Sequence, residues 1–461
     1  MEVVEHRIPG NELNCPVRGT AMMEIGRDVR RTLVMIPAQV RLREDIYFTY
    51  ACPKCKEEGT ETPIRKAERL PALTPGSYAS AEAVAHIMVQ KFVMYAPLYR
   101  QEQEWNRAGV QLSRQTMSNW VLRVAEDWLK PVYEELHRRL LQRQVLHADE
   151  TTLQVLKLEG RAARSKCYMW LYRTSGDAKS PVVLYEYRPT RKAENAAAFL
   201  ESFSGWLHAD GYSGYHRLPK NIRVVGCWAY LRRKFDEAVD ALPKDQRAGC
   251  AALEEPEYCN PLFGIEQELA GQSPEERYEQ PLAPSKPVMD ALLVWAEMKS
   301  AAAPKSALGR ALYYLREQWP YLIRFLEDGR LEISNNGVER SVKPFVMGRK
   351  NWLFANTEGG AQSSAMIYSL IETAKENGLA PYRYFIHVLT EAPGLAAKAV
   401  VGQRIFCTCL MRCWMHCPDT FSQRGCGLAT PTLLYYAFLL DVCNHFYGKT
   451  TPPPDFSGFS G

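Results

Sequence analysis

Between residues 143 and 235 the chain orders its segments in a way that few folds accommodate. Three strand-like runs, Val145 to Leu156, Lys166 to Arg173 and Pro181 to Tyr187, follow one another before the first helical pattern, at about Ala193 to Phe203. Two further strand-like runs come next, one ending in Ala209-Asp210-Gly211 and one spanning Val224 to Ala229. The first run holds Asp149 in its middle, within Leu146-His147-Ala148-Asp149-Glu150-Thr151. Apolar alternation on either side predicts a carboxylate projecting from an otherwise buried strand. Burying such a group is costly unless it is paired or binds a metal.

Three strands, a helix, then more strands and helices is the order expected of a ribonuclease H-like sheet. Residues 236 to 330 read as mostly helix with Pro-containing loops, a block that interrupts this α/β core. After it, Ser334-Asn335-Asn336 has the composition of a cap for a helix carrying Glu339 and Arg340. Asp210 follows an apolar run and precedes a Gly that lets the backbone turn or approach a ligand. Glu339 falls in the first turns of its helix, where the dipole favours a negative group. Each acid alone has an ordinary structural explanation, as turn or cap chemistry. Their joint placement on strand, strand and helix is the pattern that phosphoryl transfer on DNA needs, where carboxylates hold two hard divalent cations ~3.5–4 Å apart.

Cations cluster around these acids. Arg232, Arg233 and Lys234 follow the last strand-like run, while Arg340, Lys343, Arg349, Lys350 and Trp352 share Glu339's segment. A DNA backbone beside carboxylates needs such cations, and a Trp can stack an unpaired base. The alternative is a solvated basic face with Trp352 in the core beside Val346 and Phe354. Overall charge does not decide between them: 57 Lys and Arg stand against 52 Asp and Glu, an excess that permits a polyanion partner without requiring one.

Upstream, residues 1 to 65 carry Cys15-Pro-Val-Arg18-Gly, an alternating stretch with Val34, Ile36 and Val40, and Cys52-Pro-Lys-Cys55. They read as a small β-rich module bracketed by cysteine knuckles. From about 78 to 142 the pattern is helical, with Tyr99 to Trp105, a break at Ala108-Gly109, and a second helix entered at Ser113 and running past Trp120. That is helix-turn-helix spacing, shared by DNA-binding pairs and by ordinary packed helices. No stretch reaches the ~18–20 apolar residues of a membrane span, which points to the cytoplasm. Thirteen cysteines, an odd number in a large chain, fit reduced thiols or metal ligation better than cross-links.

Several long motifs together resemble the insertion sequence 66 family of bacterial transposases. They are HADET at 147 to 151, HADGYSGY at 208 to 215, GCWAYLRRKF at 226 to 235, SNNGVERSVKPFVMGRKNWLF at 334 to 354 and SLIETAKENGLAPYRYF at 369 to 385. The resemblance covers about residues 1 to 395. It implies a ribonuclease H-like catalytic core with a helical insertion and a DDE triad of Asp149, Asp210 and Glu339. It further implies Mg2+ or Mn2+ as cofactor and Zn2+ on Cys15, Cys52 and Cys55. The partners it implies are terminal-repeat and target DNA, a homo-oligomer on that DNA, and helper proteins of the same element.

The resemblance is imperfect at three places. Arg18 stands where the family has a further cysteine, leaving three thiols for a zinc site that normally has four ligands. Tyr230 stands where the family tends to have His. The chain also starts almost directly at the cysteine module, and residues 398 to 461 hold Cys407, Cys409, Cys413, Cys417, Cys426 and Cys443 in no clear period. A copy of a mobile element altered by a frameshift would have such ends.

The expected organisation is a degenerate zinc-finger-like module at 1–65, a helical segment at 66–142, a catalytic domain at 143–354 with its insertion at about 236–330, a helical part at 355–397 and a divergent tail at 398–461. Three functions share these features: a DNA transposase, a catalytically impaired DNA-binding remnant of one, and a ribonuclease H-like nuclease or resolvase.

Overall fold

Strand 145–157 is the central strand of the main sheet, with Leu146, Ala148, Leu153 and Val155 buried along it. The computed structural model of the chain describes residues 5–7, 14–31, 39–59, 61–69, 71–176, 178–269, 272–279 and 282–398. Met1–Ile46 and Tyr47–Gly461 separate into two units.

In the first unit, the backbone from Asn14 to Ala21 folds back on itself through an isolated bridge. The Cys15 amide donates to Thr20 O at 2.8 Å, and the Gly19 amide donates to Cys15 O at 2.8 Å. Of the alternating stretch expected to be β-rich, Val34 and Ile36 lie outside the described residues, and Val40 sits in exposed irregular chain.

The second unit opens with β1 (Thr49–Ala51), α1 (Pro53–Glu57) and β2 (Ile64–Lys66), with β1 and β2 antiparallel. Helices α2 (Ala81–Phe92), α3 (Leu98–Arg107), α4 (Arg114–Val124) and α5 (Lys130–Leu140) follow, the last two joined by a π-helical turn at Ala125–Leu129. The break between α3 and α4 falls at Ala108 and Gly109, and the Ser113 side chain caps α4 by accepting from the Thr116 amide at 3.1 Å.

The sheet consists of β3 (Val145–Lys157), β4 (Lys166–Thr174), β5 (Val183–Arg188), β6 (Gly205–His208) and β7 (Ile222–Val225), with α6 (Ala193–Phe199) between β5 and β6. Its order is β5-β4-β3-β6-β7; β4 runs antiparallel to β3 and β5, while β6 and β7 run parallel to β3. The expected strand at Val224 to Ala229 ends early. Gly226 and Cys227 turn the chain, and α7 (Trp228–Asp240) begins where the apolar run still reads as strand.

The helical insertion comprises α7, α8 (Pro256–Glu268), α9 (Pro274–Glu279), α10 (Leu282–Met298) and α11 (Ala307–Leu322). It has a core of its own around Trp228, Phe235 and Trp295, which reaches the sheet through Val145, Trp206 and Val225. The chain then returns to the sheet with α12 (Asn336–Trp352), β8 (Ala355–Thr357), α13 (Glu358–Glu376) and α14 (Pro381–Lys398). β8 pairs parallel with the far half of β3, Val155 opposite Ala355, so α12 travels beside β3 in the same sense.

Helix α13 closes the exposed edge of the sheet. The Tyr185 amide donates to Ser369 Oγ at 2.7 Å, the Val183 amide donates to Thr373 Oγ1 at 3.0 Å, and Thr373 Oγ1 donates to Val183 O at 2.9 Å. Edge-strand amides left open are a template for unwanted pairing. Here two hydroxyls on one helix face satisfy them. The cysteine-rich tail from 399 onward lies outside the described residues.

Candidate active site

The parallel register of β3 and β6 sets His147 opposite His208. Asp149 and Asp210 each lie two residues further along, so the same register carries both carboxylates to one end of the parallel pair. The two histidines beneath them stack face to face, with ring centroids 4.3 Å apart and planes 10° from parallel. Burial holds His208 well below its usual pKa, and the neighbouring His147 adds to this, so the imidazole is neutral.

Asn335 brings the third acid to the same place. The sequence marks it as a helix cap, yet its side chain does not cap α12. Instead His147 Nδ1 donates to Asn335 Oδ1 at 2.8 Å, and Asn335 Nδ2 donates to Ala148 O at 2.9 Å. This pins the start of α12 across β3 immediately before Asp149. The Glu339 amide donates to Asn335 O at 3.3 Å, so Glu339 stands one helical turn further on, over the same face.

The electrostatics record that convergence. Burial first, then the carboxylates of Glu150, Asp210 and Glu339, push Asp149 up to about 8. Burial also raises Asp210, opposed by the Tyr212 amide and by Arg191. A cluster of hard oxygen donors that repel one another has the chemistry of a divalent-cation site. The carboxylates are near one another without forming a closed ligand shell: among the described residues, no three His, Cys, Asp or Glu side chains gather tightly enough to enclose an ion. Protein donors hold each acid at present. The Glu150 amide donates to Asp149 Oδ1 at 2.8 Å, the Tyr212 amide donates to Asp210 Oδ1 at 3.0 Å, and Arg233 Nη2 donates to both Glu339 oxygens at 3.0 and 2.9 Å.

Two further participants join the acids, Glu150 from within the HADET motif and Arg191 from a loop that carries no motif. Glu150 alternates to the opposite face of β3 from Asp149 and is almost fully buried, accepting from Tyr215 Oη at 2.6 Å and from Arg191 Nε at 2.6 Å. Arg191 also comes within 3.9 Å of Asp210 and lies 4.0 Å over the Tyr212 ring, linking the two acids from an otherwise unremarkable loop. At Gly211 a Cβ would come within 2.5 Å of the Tyr314 ring from α11, so any larger residue there has to displace that ring.

The cations divide into groups. Arg233 is bound to Glu339, and Lys234 pairs with Glu237 at 2.9 Å and lies 4.9 Å over the Tyr230 ring. Arg232 lies on the insertion side, near buried Glu255. Arg340, Lys343 and Lys350 are exposed along α12, whereas Arg349 reaches back to β3, donating to Thr151 Oγ1 at 3.2 Å and Thr152 Oγ1 at 3.1 Å. Trp352 packs on Phe345 with ring centroids 5.5 Å apart, at the margin of the main core. That placement matches the core alternative for Trp352.

The cysteine knuckles are legible locally. Backbone amides of Val17 and Arg18 hold the Cys15 thiol below its usual pKa. Cys52 precedes α1, and its thiol is lowered first by the Cys55 amide and then by the Cys55 thiol. Thiols that receive backbone N–H groups in this way are primed as thiolates, the form that binds zinc.

Comparison with known proteins places the chain in a family. A sequence model described as the Transposase IS66 family matches residues 76–363, the IS66 C-terminal element matches 369–399, and the zinc-finger binding domain of transposase IS66 matches 12–56. Relatives occur in Sinorhizobium fredii (strain NBRC 101917 / NGR234). The uncharacterized protein y4jD is 33% identical over 388 residues, 81% of this chain and 74% of that protein. The uncharacterized protein y4qI is 30% identical over 415 residues, 87% of this chain and 74% of that protein.

Proposed function

The chain belongs to the IS66 family of transposases, and from that premise we propose that it cuts DNA at the ends of an insertion sequence and joins those ends to target DNA. In this reading Asp149, Asp210 and Glu339 are the DDE carboxylates. The observation that carries it is the pair of constraints on those residues: the β3–β6 register aligns the two aspartates, and Asn335 ties the Glu339 helix to the same strand. The strand order β5-β4-β3-β6-β7, with only β4 reversed, supports a ribonuclease H-like core.

Asp149, Asp210 and Glu339 would hold Mg2+ or Mn2+, which when bound activates the attacking oxygen and stabilises the leaving one. The protein's own contribution is positional. Asn335 fixes the spacing between strand and helix, the Glu150–Arg191 pair steadies Asp210, and Arg233 keeps the Glu339 carboxylate extended. The exposed residues Arg340, Lys343 and Lys350 recur at helical spacing on α12 and offer phosphate contacts leading away from Glu339. Helices α3 and α4 supply a second DNA-gripping element, with Arg114, Gln115 and Asn119 on the exposed side of α4. Cys15, Cys52 and Cys55 would hold zinc within the matched zinc-finger segment, Arg18 leaving the set one ligand short. A homo-oligomer on DNA and helper proteins of the same element complete this reading. Among the described residues no helix is long and apolar enough to cross a membrane.

A second reading is favoured by one observation: Arg233 occupies both Glu339 oxygens while Tyr230 stands beside it, its ring 5.6 Å from the Arg233 guanidinium. In that reading the protein binds DNA without cutting it. Metal-dependent nicking of the DNA flanking the gene separates the two. Nicking that is lost in Asp149→Asn supports the transposase, and binding without nicking supports the remnant.

A further inference from the structure

Beyond the carboxylates, β3 and the end of α12 form the walls of a cleft of about 450 Å³. Four cations line it: Arg164 from the β3–β4 connection, Lys166 from the start of β4, and Arg349 and Lys350 from α12. Among the described residues none of the four is held in an ion pair, unlike Arg191, Arg233 and Lys234. They are also placed by the fold. Gln154 Nε2 donates to Ala163 O at 3.0 Å and ties down the loop that carries Arg164, and Arg349 is anchored on Thr151 and Thr152.

The rim is apolar and strained. Leu353 has φ 66° and ψ −47°, and the Phe354 amide donates to Trp352 O at 2.8 Å across it, which makes a left-handed γ-turn that bulky residues rarely adopt. The turn leaves Leu353 63% exposed and Phe354 41% exposed. Strain that holds an apolar side chain in solvent beside four cations is a common signature of a binding surface.

Resting on the transposase reading above, we propose that this cleft seats a backbone phosphate of the bound DNA strand about three to five nucleotides from the cut, with Leu353 against the adjoining sugar or base. The spacing follows from the strand. The β3 residues that line the cleft, Thr152 to Gln154, lie three to five residues past Asp149, roughly 10–17 Å at ~3.3 Å per residue, and Gln154 stands opposite Lys166. A DNA strand advances ~3.4 Å per nucleotide. Arg164 and Lys166 are therefore specificity-neutral anchors that set where the strand leaves the carboxylates.

The test uses the full chain and duplex DNA from the gene's flanks, comparing wild type with the double variant Arg164→Gln/Lys166→Gln and the charge-keeping double variant Arg164→Lys/Lys166→Arg. Binding is measured across a salt series and Mn2+-dependent nicking is measured in parallel. The cleft predicts that the first variant loses about one unit of slope in log affinity against log salt, as expected for one lost phosphate contact. The second variant keeps the wild-type slope. An unchanged slope in the first variant, or an equal loss in both, overturns the cleft even if all three proteins nick. A slope change in the first variant alone, with no nicking by wild type, upholds the cleft as a backbone site and removes the cutting reading instead.

Discussion

At the scale of single residues, the site depends on side chains whose roles are invisible in their own types. Asn335 is an ordinary helix-start residue by composition, and what makes it consequential is its contact with β3, 187 and 188 positions away in sequence. Asn335→Ala removes both bonds and leaves buried polar groups unpaired. The expected cost is about 1–3 kcal/mol in a denaturant titration, together with a loss of nicking that exceeds the loss of DNA affinity. Equal losses of nicking and affinity would make Asn335 a general folding residue. Arg233 was an expected DNA contact on sequence grounds, and its pairing with Glu339 changes that expectation. Arg233→Gln should alter the Mn2+ concentration needed for nicking while leaving the salt dependence of DNA binding close to wild type. A reduced salt slope would put Arg233 back on the DNA.

Lys91 offers a pH test independent of the acids. Burial lowers it from 10.5 to about 8, and its ammonium lies 5.3 Å from the Phe92 ring and 5.7 Å from the Trp352 ring. Between these values the unfolded chain holds more protons than the folded one, so this residue's contribution to stability rises with pH across that window. Below the window the buried charge is a standing cost. Lys91→Met should therefore stabilise the protein at pH 7 by on the order of 2 kcal/mol, and the gain should shrink toward pH 10.5. Thermal melts of both proteins at the two ends of the range check this, and a gain independent of pH would show that the cost is steric.

At the scale of elements, alternation and apolar runs located β3, β4, β5 and the helices around Glu339 within a few residues, because these strands are buried in a regular way. The reading failed where burial persists but periodicity changes. Val224 to Ala229 reads as one apolar strand, yet Gly226 turns the chain and Trp228 is buried as the first residue of α7. An apolar run bounded this way does not distinguish a strand from the start of a buried helix. The docking of α13 on β5 was equally hidden, since Ser369 and Thr373 look like neutral helix residues until their hydroxyls meet the edge amides. Thr373→Val should cost about 1–3 kcal/mol by leaving the Val183 amide and carbonyl unpaired under α13. A Thr373→Ser variant, which keeps the hydroxyl, should recover most of that loss in the same chemical melt.

At the scale of the whole molecule, the three proposed carboxylates stand out in the sequence because each sits in a long motif, whereas the contacts among Glu150, Tyr215 and Arg191 depend on elements brought together only by the fold, two of them inside those same motifs and one in a loop. Glu150, Arg191 and Tyr215 meet only once β3, β6 and the segments between them are folded. The family match over residues 76–363 makes the chain an IS66-family member, and the carboxylate positions and the exposed cations of α12 underlie the proposal that it cuts DNA through metal-held carboxylates. The most direct test is Mn2+-dependent nicking of DNA flanking the gene by the purified chain beside its Asp149→Asn variant, with DNA binding measured on both. The account predicts nicks at the element's end by the wild type, none by the variant, and similar DNA affinity. Nicking that survives in Asp149→Asn would contradict it.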